Sequence, residues 1–217
     1  HESGHEWFGN NITTNDLADM WVHEGFTNYS ETLFVDYIFG NKAGSEYNFG
    51  IRKGIRNDKP IIPEYGVNAQ GSGDMYPKGG NMLHSIRHGL DNDELFRSVL
   101  RGLNQNFYHK TVSSAQVESY FSKKAGFNYA KVFDQYLRTT QIPTFEYYIK
   151  DGKAFYRYTD CVKGFNLPLM LKMEGAKRIK LVPSEQWQQI SITAGQKELF
   201  NKSSIEFMYY VNVRKTK

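Results

Sequence analysis

The chain is 217 residues long, 40% hydrophobic and 23% charged, with a formal net charge of +4, which suffices for one sizeable core or one plus a small second one. No run of about eighteen apolar residues occurs, so no membrane span is expected, and a single cysteine, Cys161, excludes an internal disulfide while leaving the redox compartment open. The densest basic clusters, at 52–56 and 177–180, lack interleaved aromatic residues and read as solvated faces, not as a nucleic-acid footprint.

The opening stretch, His1-Glu2-Ser3-Gly4-His5, is the richest in chemistry. On a helix, residues four apart lie one turn above each other, so His1 and His5 aim their imidazoles at one spot with Glu2 beside them. Two imidazoles are an incomplete metal clamp. A tetrahedral zinc site that does chemistry takes a third protein ligand and keeps one position open for water. Glu24 is the candidate third ligand, and Glu2 is then free to act as general base. Residues 12–15 read as loop and cap, with Asn15 or Asp16 accepting from the first free N–H groups of a helix that runs to Phe39 and is closed by Gly40. Leu17, Trp21, Glu24 and Asn28 share one face of it, so Glu24 is delivered among buried side chains, where a carboxylate needs a partner. Ligating histidines commonly hand their other N–H to a carboxylate, and Asp19 and Glu31 are the candidates for that second layer. His23 points away from the Glu24 face.

Residues 42–58 have helical spacing through Tyr47, Phe49, Ile51 and Ile55, the pattern of ordinary core and surface. A loop at 59–73, dense in proline and glycine, has the composition of a functional loop. It ends at Asp74-Met75-Tyr76-Pro77-Lys78-Gly79-Gly80, the head of a helix continuing through Met82, Leu83, Ile86 and Leu90. Spacing alone makes Tyr76 no more than a helix-start residue. His84 and His88 are also four apart, but no acidic residue is suitably placed between them and Arg87 would repel a cation, so they read as structural or surface residues. Helices are expected at 93–103, 113–125 and 128–139, the second capped by Ser113 or Ser114. After Gln141-Ile142-Pro143 the period becomes alternating. A hairpin at 145–158 turns at Asp151-Gly152, and further strands are expected at 167–173, 178–182, 187–192 and 205–213, the pattern of a small β-sandwich.

Eighteen residues separate His5 from Glu24, which lies in Trp21-Val22-His23-Glu24-Gly25-Phe26. This resembles the zinc aminopeptidase family that contains aminopeptidase N and the leukotriene hydrolase, whose pattern is His-Glu-x-x-His, eighteen residues, then the glutamate of Asn-Glu-Gly-Phe. His23 stands where the family often has asparagine. The resemblance implies an α+β protein: the helical half of a thermolysin-like catalytic domain over residues 1–141, then a small antiparallel β-sandwich domain over residues 142–217. It implies one zinc ion on His1, His5 and Glu24, peptide substrates cut at the amino terminus, and Glu2 as the catalytic base. It matches Tyr76, Lys78 and Gly79 to the family's Tyr-x-Lys-Gly, which makes Tyr76 a second catalytic residue donating to the developing oxyanion, and it matches Glu31 to a glutamate of the pattern.

The family's Gly-x-Met-Glu-Asn segment, which grips a substrate's free amine, has no counterpart here, since Lys172-Met173-Glu174-Gly175 lacks its order. The chain therefore reads as the carboxy-terminal piece of a larger enzyme, with the missing amino-terminal region as its partner. A helix start carries free N–H donors and the positive dipole end, so alone the piece is expected to hold zinc weakly and to be weakly active or inactive. A thermolysin-like endopeptidase, a leukotriene-hydrolase-like activity and a non-catalytic interaction module that binds a partner through the β-sandwich remain open beside this reading.

Overall fold

The stretch after His1 forms a 3-10 turn, not the expected α-helical one. In the computed structural model, which describes residues 1–173 and 178–216, a 3-10 helix spans Glu2–Glu6, with the Gly4 N–H on His1 O at 2.7 Å and the Trp7 N–H on Gly4 O at 3.1 Å. So short a segment, with glycine inside it and Gly9 at a φ of 139° just beyond, cannot propagate an α ladder. The turn leads into β1 (Ile12–Thr14), where a loop was expected. β1 runs parallel to β2 (Lys110–Val112), Ile12 opposite Lys110 and Thr14 opposite Val112, a pairing across about a hundred residues that leaves no local signal.

Asp16 caps the next segment, its side chain accepting from the Ala18 N–H at 2.9 Å. After a 3-10 turn at Leu17–Asp19 comes α1 (Trp21–Phe39), ended by Gly40 at a φ of 90°. α2 (Asn41–Ile51) and the long loop follow, then α3 (Pro77–Leu90), with proline in its first turn, where a missing N–H costs nothing. α4 (Asp93–Asn106), α5 (Ser114–Ala125) and α6 (Ala130–Arg138) complete the helical part. Ser113 and Gln116 close a reciprocal capping box on α5.

Glycine sets how closely the site-bearing elements approach. A methyl group on Gly79 of α3 would stand 3.0 Å from Gly25 Cα, and one on Gly25 would stand 3.2 Å from Met75 O, so α1 and α3 touch backbone to backbone one residue from Glu24 and three from Tyr76. A methyl group on Gly4 would meet Ser30 Oγ at 2.7 Å and Thr27 Cγ2 at 2.9 Å. The first turn thus lies directly on α1.

From Thr144 onward the elements are mostly strands. β3 (Thr144–Lys150) and β4 (Lys153–Thr159) form the expected hairpin, with Asp151 and Gly152 both at positive φ, as a two-residue hairpin turn demands. β5 (Leu169–Lys172) pairs with β6 (Arg178–Leu181), while β7 (Gln188–Ser191), β4, β3 and β8 (Asn212–Lys215) make a four-stranded sheet in that order. All pairs here are antiparallel except β3 with β8. The strand expected at 205–213 is instead the end of α7 (Lys202–Met208) followed by β8. Asn201 caps that helix through the Ser204 N–H at 3.0 Å, and Ile205 anchors it in the core.

Buried side chains from Phe8 to Val213 form one continuous cluster. The basic cluster at 52–56 is not wholly a solvated face: the Arg52 guanidinium donates to Asn81 and to the Glu206 and Phe207 carbonyls and stacks on Phe49 and Tyr210. Burial lowers its pKa to about 10. Glu174 and Gly175 of the compared segment, and Lys177 of the second basic cluster, lie outside the described residues.

Candidate metal centre

With Gly4 seated on α1, the two histidine rings meet edge to face, their centroids 4.8 Å apart. His1 Nε2 lies 3.3 Å and His5 Nε2 3.4 Å from Glu24 Oε2, and one ligand atom from each residue falls within 4.8 Å of the others. The opposite ring nitrogens are engaged. His1 Nδ1 donates to Glu31 Oε1 at 2.6 Å, and His5 Nδ1 donates to the Phe8 carbonyl at 3.0 Å, with Thr27 Oγ1 3.3 Å away. Those acceptors fix the tautomers, because a carboxylate or a carbonyl can only accept. Both Nε2 lone pairs therefore face a carboxylate oxygen, which only a proton or a cation between them makes favourable.

The donor set suits zinc. Two imidazole nitrogens and one carboxylate oxygen at ordinary zinc bond lengths in a tetrahedron stand about 3.3 to 3.6 Å apart; the two separations to Glu24 fall in that interval, and the three ligand atoms together lie within 4.8 Å. Glu24 is 8% exposed, and among the described residues none of its ion-pair partners is an arginine or lysine.

Tyr76 joins this group from the head of α3. Its ring stands 5.7 Å from that of His1, tilted by 33°. Partial burial, then the Glu24 carboxylate, then Glu2 raise its pKa above the ordinary tyrosine value, so the hydroxyl keeps its proton at neutral pH and can donate it in a hydrogen bond. Glu2 is exposed on the first turn.

Of the two second-layer candidates, Glu31 meets a histidine and Asp19 does not. Asp19 is fully buried and accepts from the Ser114 and Tyr65 hydroxyls, while Trp21 Nε1 donates to Ser114 at 2.6 Å. The 3-10 turn before α1 aims Asp19 toward α5 and away from the histidines. His23 accepts the Thr14 N–H at 3.0 Å and ties β1 to α1. Burial lowers its pKa. His84 and His88 pack against each other at 4.2 Å inside the molecule, with Tyr29 OH 3.2 Å from His84 Nδ1.

Two partners escaped sequence reasoning. The Tyr47 hydroxyl donates to the second Glu31 oxygen, and burial followed by that carboxylate pushes its pKa up to about 12. Its helical spacing marked it only as part of ordinary core and surface. The other is the Phe8 carbonyl, a backbone group that no residue type announces.

Residues 1–136 match the Peptidase family M1 domain. Among curated proteins the chain is 28% identical over 141 residues to leukotriene A-4 hydrolase of Xenopus laevis, covering 57% of this chain and 23% of that protein. It is 24% identical over 156 residues to aminopeptidase N of Lactococcus lactis, covering 66% and 18%. The fold matches aminopeptidase A of Legionella pneumophila, solved with aspartic acid, at a TM-score of 0.68 and 17% identity, over 100% of this chain and 26% of that one. It also matches an M1 zinc metallopeptidase of Deinococcus radiodurans, solved with a Tyr-Ser-Ala substrate, at a TM-score of 0.51 and 22% identity, over 62% and 31%. The chain thus spans under a quarter of the length of these curated relatives. With residues 1–136, more than half of the chain, covered by the family's domain, and with the His1, His5 and Glu24 cluster inside that stretch, the chain belongs to peptidase family M1.

Proposed function

We propose that the protein carrying this chain is a zinc-dependent aminopeptidase and that His1, His5 and Glu24 hold its metal. The observation that carries the reading is the convergence of two imidazole Nε2 atoms on Glu24 Oε2, at 3.3 and 3.4 Å, while Glu31 and the Phe8 carbonyl occupy the opposite nitrogens. Zinc, when bound, supplies a Lewis acid for the scissile carbonyl and lowers the pKa of a water molecule in its open position. Glu2 takes the proton of the attacking water and hands one to the departing amine. Tyr76, kept protonated by its surroundings, donates to the carbonyl oxygen as negative charge develops there. Family membership supports peptide hydrolysis as the reaction, and the names of the relatives support the amino-terminal direction.

The test is zinc content by elemental analysis together with hydrolysis of an aminoacyl anilide, on the full-length protein. One zinc per chain and activity on free but not on amino-blocked substrates is the expected outcome. Equal activity on blocked peptides would favour a thermolysin-like endopeptidase, and a folded protein with neither zinc nor activity would overturn the enzyme reading. Glu2→Gln should lower kcat by about 10²- to 10⁴-fold and Tyr76→Phe by about 10²- to 10³-fold, with zinc retained in both.

A further inference from the structure

We propose that Asp74 is a positioning residue for this reaction: its buried carboxylate clasps the backbone at the base of the 59–73 loop and so fixes where the Tyr76 hydroxyl stands. The inference rests on the peptidase reading above.

Asp74 is 2% exposed. Its Oδ1 accepts the Arg56 N–H at 2.8 Å and its Oδ2 the Asn57 N–H at 2.6 Å. Asn57 has a φ of 49°, and its left-handed backbone brings two successive N–H groups to one side, a concave arrangement that binds anions. Both carboxylate oxygens are thereby engaged by backbone donors. Together they lock the chain entering the loop to the chain leaving it.

The same base is tied three more times. The Asp74 N–H donates to Ser72 Oγ at 3.1 Å, the Ser72 hydroxyl donates to Asp58, and the Ser72 N–H donates to Pro60 O at 3.0 Å. A methyl group on Gly71 would stand 1.9 Å from Ile61 O, so the two loop ends cross at a separation only glycine permits. Tyr76 leaves this knot after a single 3-10 turn, with the Met75 N–H on Ser72 O at 3.1 Å and its own N–H on Gly73 O at 3.3 Å.

No side chain caps the start of α3. Tyr76 is 38% exposed, so its ring has little packing of its own and inherits its position from the backbone. Among the contacts that set that position are Met75 O against Gly25 on one side and the Asp74 clasp on the other. A hydrogen-bond donor displaced by about 1 Å from a reacting oxygen costs on the order of 100-fold in rate. Loss of the clasp should therefore appear as loss of the tyrosine's contribution, with the metal ligands, held by α1 and the first turn, left in place.

The experiment is a double-mutant cycle in the zinc-loaded full-length protein, with Asp74→Ala, Asp74→Asn, Tyr76→Phe and Asp74→Ala/Tyr76→Phe assayed for kcat, KM, zinc content and thermal unfolding. Asp74→Ala should lower kcat by about 10- to 100-fold with little change in KM and full zinc. Asp74→Asn, which keeps one acceptor oxygen, should recover part of the loss. In the Tyr76→Phe background, Asp74→Ala should cost less than about threefold, because the group it positions is already gone. Additive losses in the double variant, or wild-type kcat in a folded Asp74→Asn, would overturn the proposal, and the latter decides if Asp74→Ala does not fold. If Tyr76→Phe alone leaves kcat unchanged, the assigned role of the tyrosine falls and the Asp74 proposal falls with it. A large Tyr76→Phe effect with additive Asp74 losses removes only the Asp74 proposal.

Discussion

The two oxygens of Glu31 serve different elements: one accepts from His1 Nδ1, the other from the Tyr47 hydroxyl on α2. The carboxylate therefore fixes the His1 ring and turns its Nε2 toward Glu24. Glu31→Gln keeps one acceptor but adds an NH2 group that can face the imidazole N–H, so zinc affinity should fall by about 10- to 100-fold, as read by competition with a chromophoric chelator. Tyr47→Phe should fall short of that, since it removes only the outer bond. Helical spacing made Glu31 legible as a partner for a histidine, and the same argument singled out Asp19. What separates them lies elsewhere in the chain: Ser114 on α5 and Tyr65 in the long loop engage Asp19, while α2 brings Tyr47 to Glu31. A periodicity argument gives the face a side chain occupies, but not which distant segment arrives there.

At the scale of elements, the candidate site depends on α1 and α3 approaching at Gly25 and Gly79. Valine in a helix interior is intrinsically better than glycine by a few tenths of a kcal/mol, yet Gly79→Val would press a branched side chain on the α1 backbone, where a single methyl group already stands at 3.0 Å. Overpacking of this kind costs about 1–3 kcal/mol, so the variant should be destabilised in urea and should lose activity through displacement of Tyr76. Gly50→Ala is the matched control. Gly50 lies in α2 with nothing within 4 Å of an added methyl group, so this change should stabilise the protein by about 0.5–1 kcal/mol. If Gly79→Val equalled the control, the close crossing would not be what holds the two helices in place. The periodic helices and the Asp151-Gly152 hairpin were readable because their cues are local. The β1–β2 pair was not, being a three-residue parallel contact between segments a hundred residues apart. α7 was misread because the alternation of 205–213 outweighed the single cap at Asn201.

The whole molecule carries a pH dependence written in α3. His84 is buried and His88 half-buried, and both are held below the ordinary histidine pKa. For His88, burial comes first, then Arg87 and Lys172, bringing it down to about 3 against the opposing charges of Asp93 and Asp91. For His84, burial comes first, then His88, Arg52 and Arg87. Among the described residues neither Nε2 atom has a hydrogen-bond partner, and at His88 the charges of Asp93 and Asp91 offset only part of the effect of burial. The unfolded chain binds these protons near pH 6.5, while folding lowers both affinities, for His88 to about 3, so below pH 6.5 the unfolded state holds more protons. Stability is therefore fully present above pH 6.5 and falls with acid by about 1.4 kcal/mol per pH unit for each histidine. The paired carboxylates steepen the same limb, notably Asp93, whose pKa the Arg87 hydrogen bond lowers. The histidine share is isolated by a difference: His88→Gln cannot be protonated and should flatten the slope by one histidine's worth. Urea unfolding of the zinc-free protein at pH 7, 5.5 and 4.5 measures it without zinc release contributing. Identical slopes for the variant and the parent would mean that His88 takes up its proton in the folded state, and that the end of α3 opens to water before the molecule unfolds.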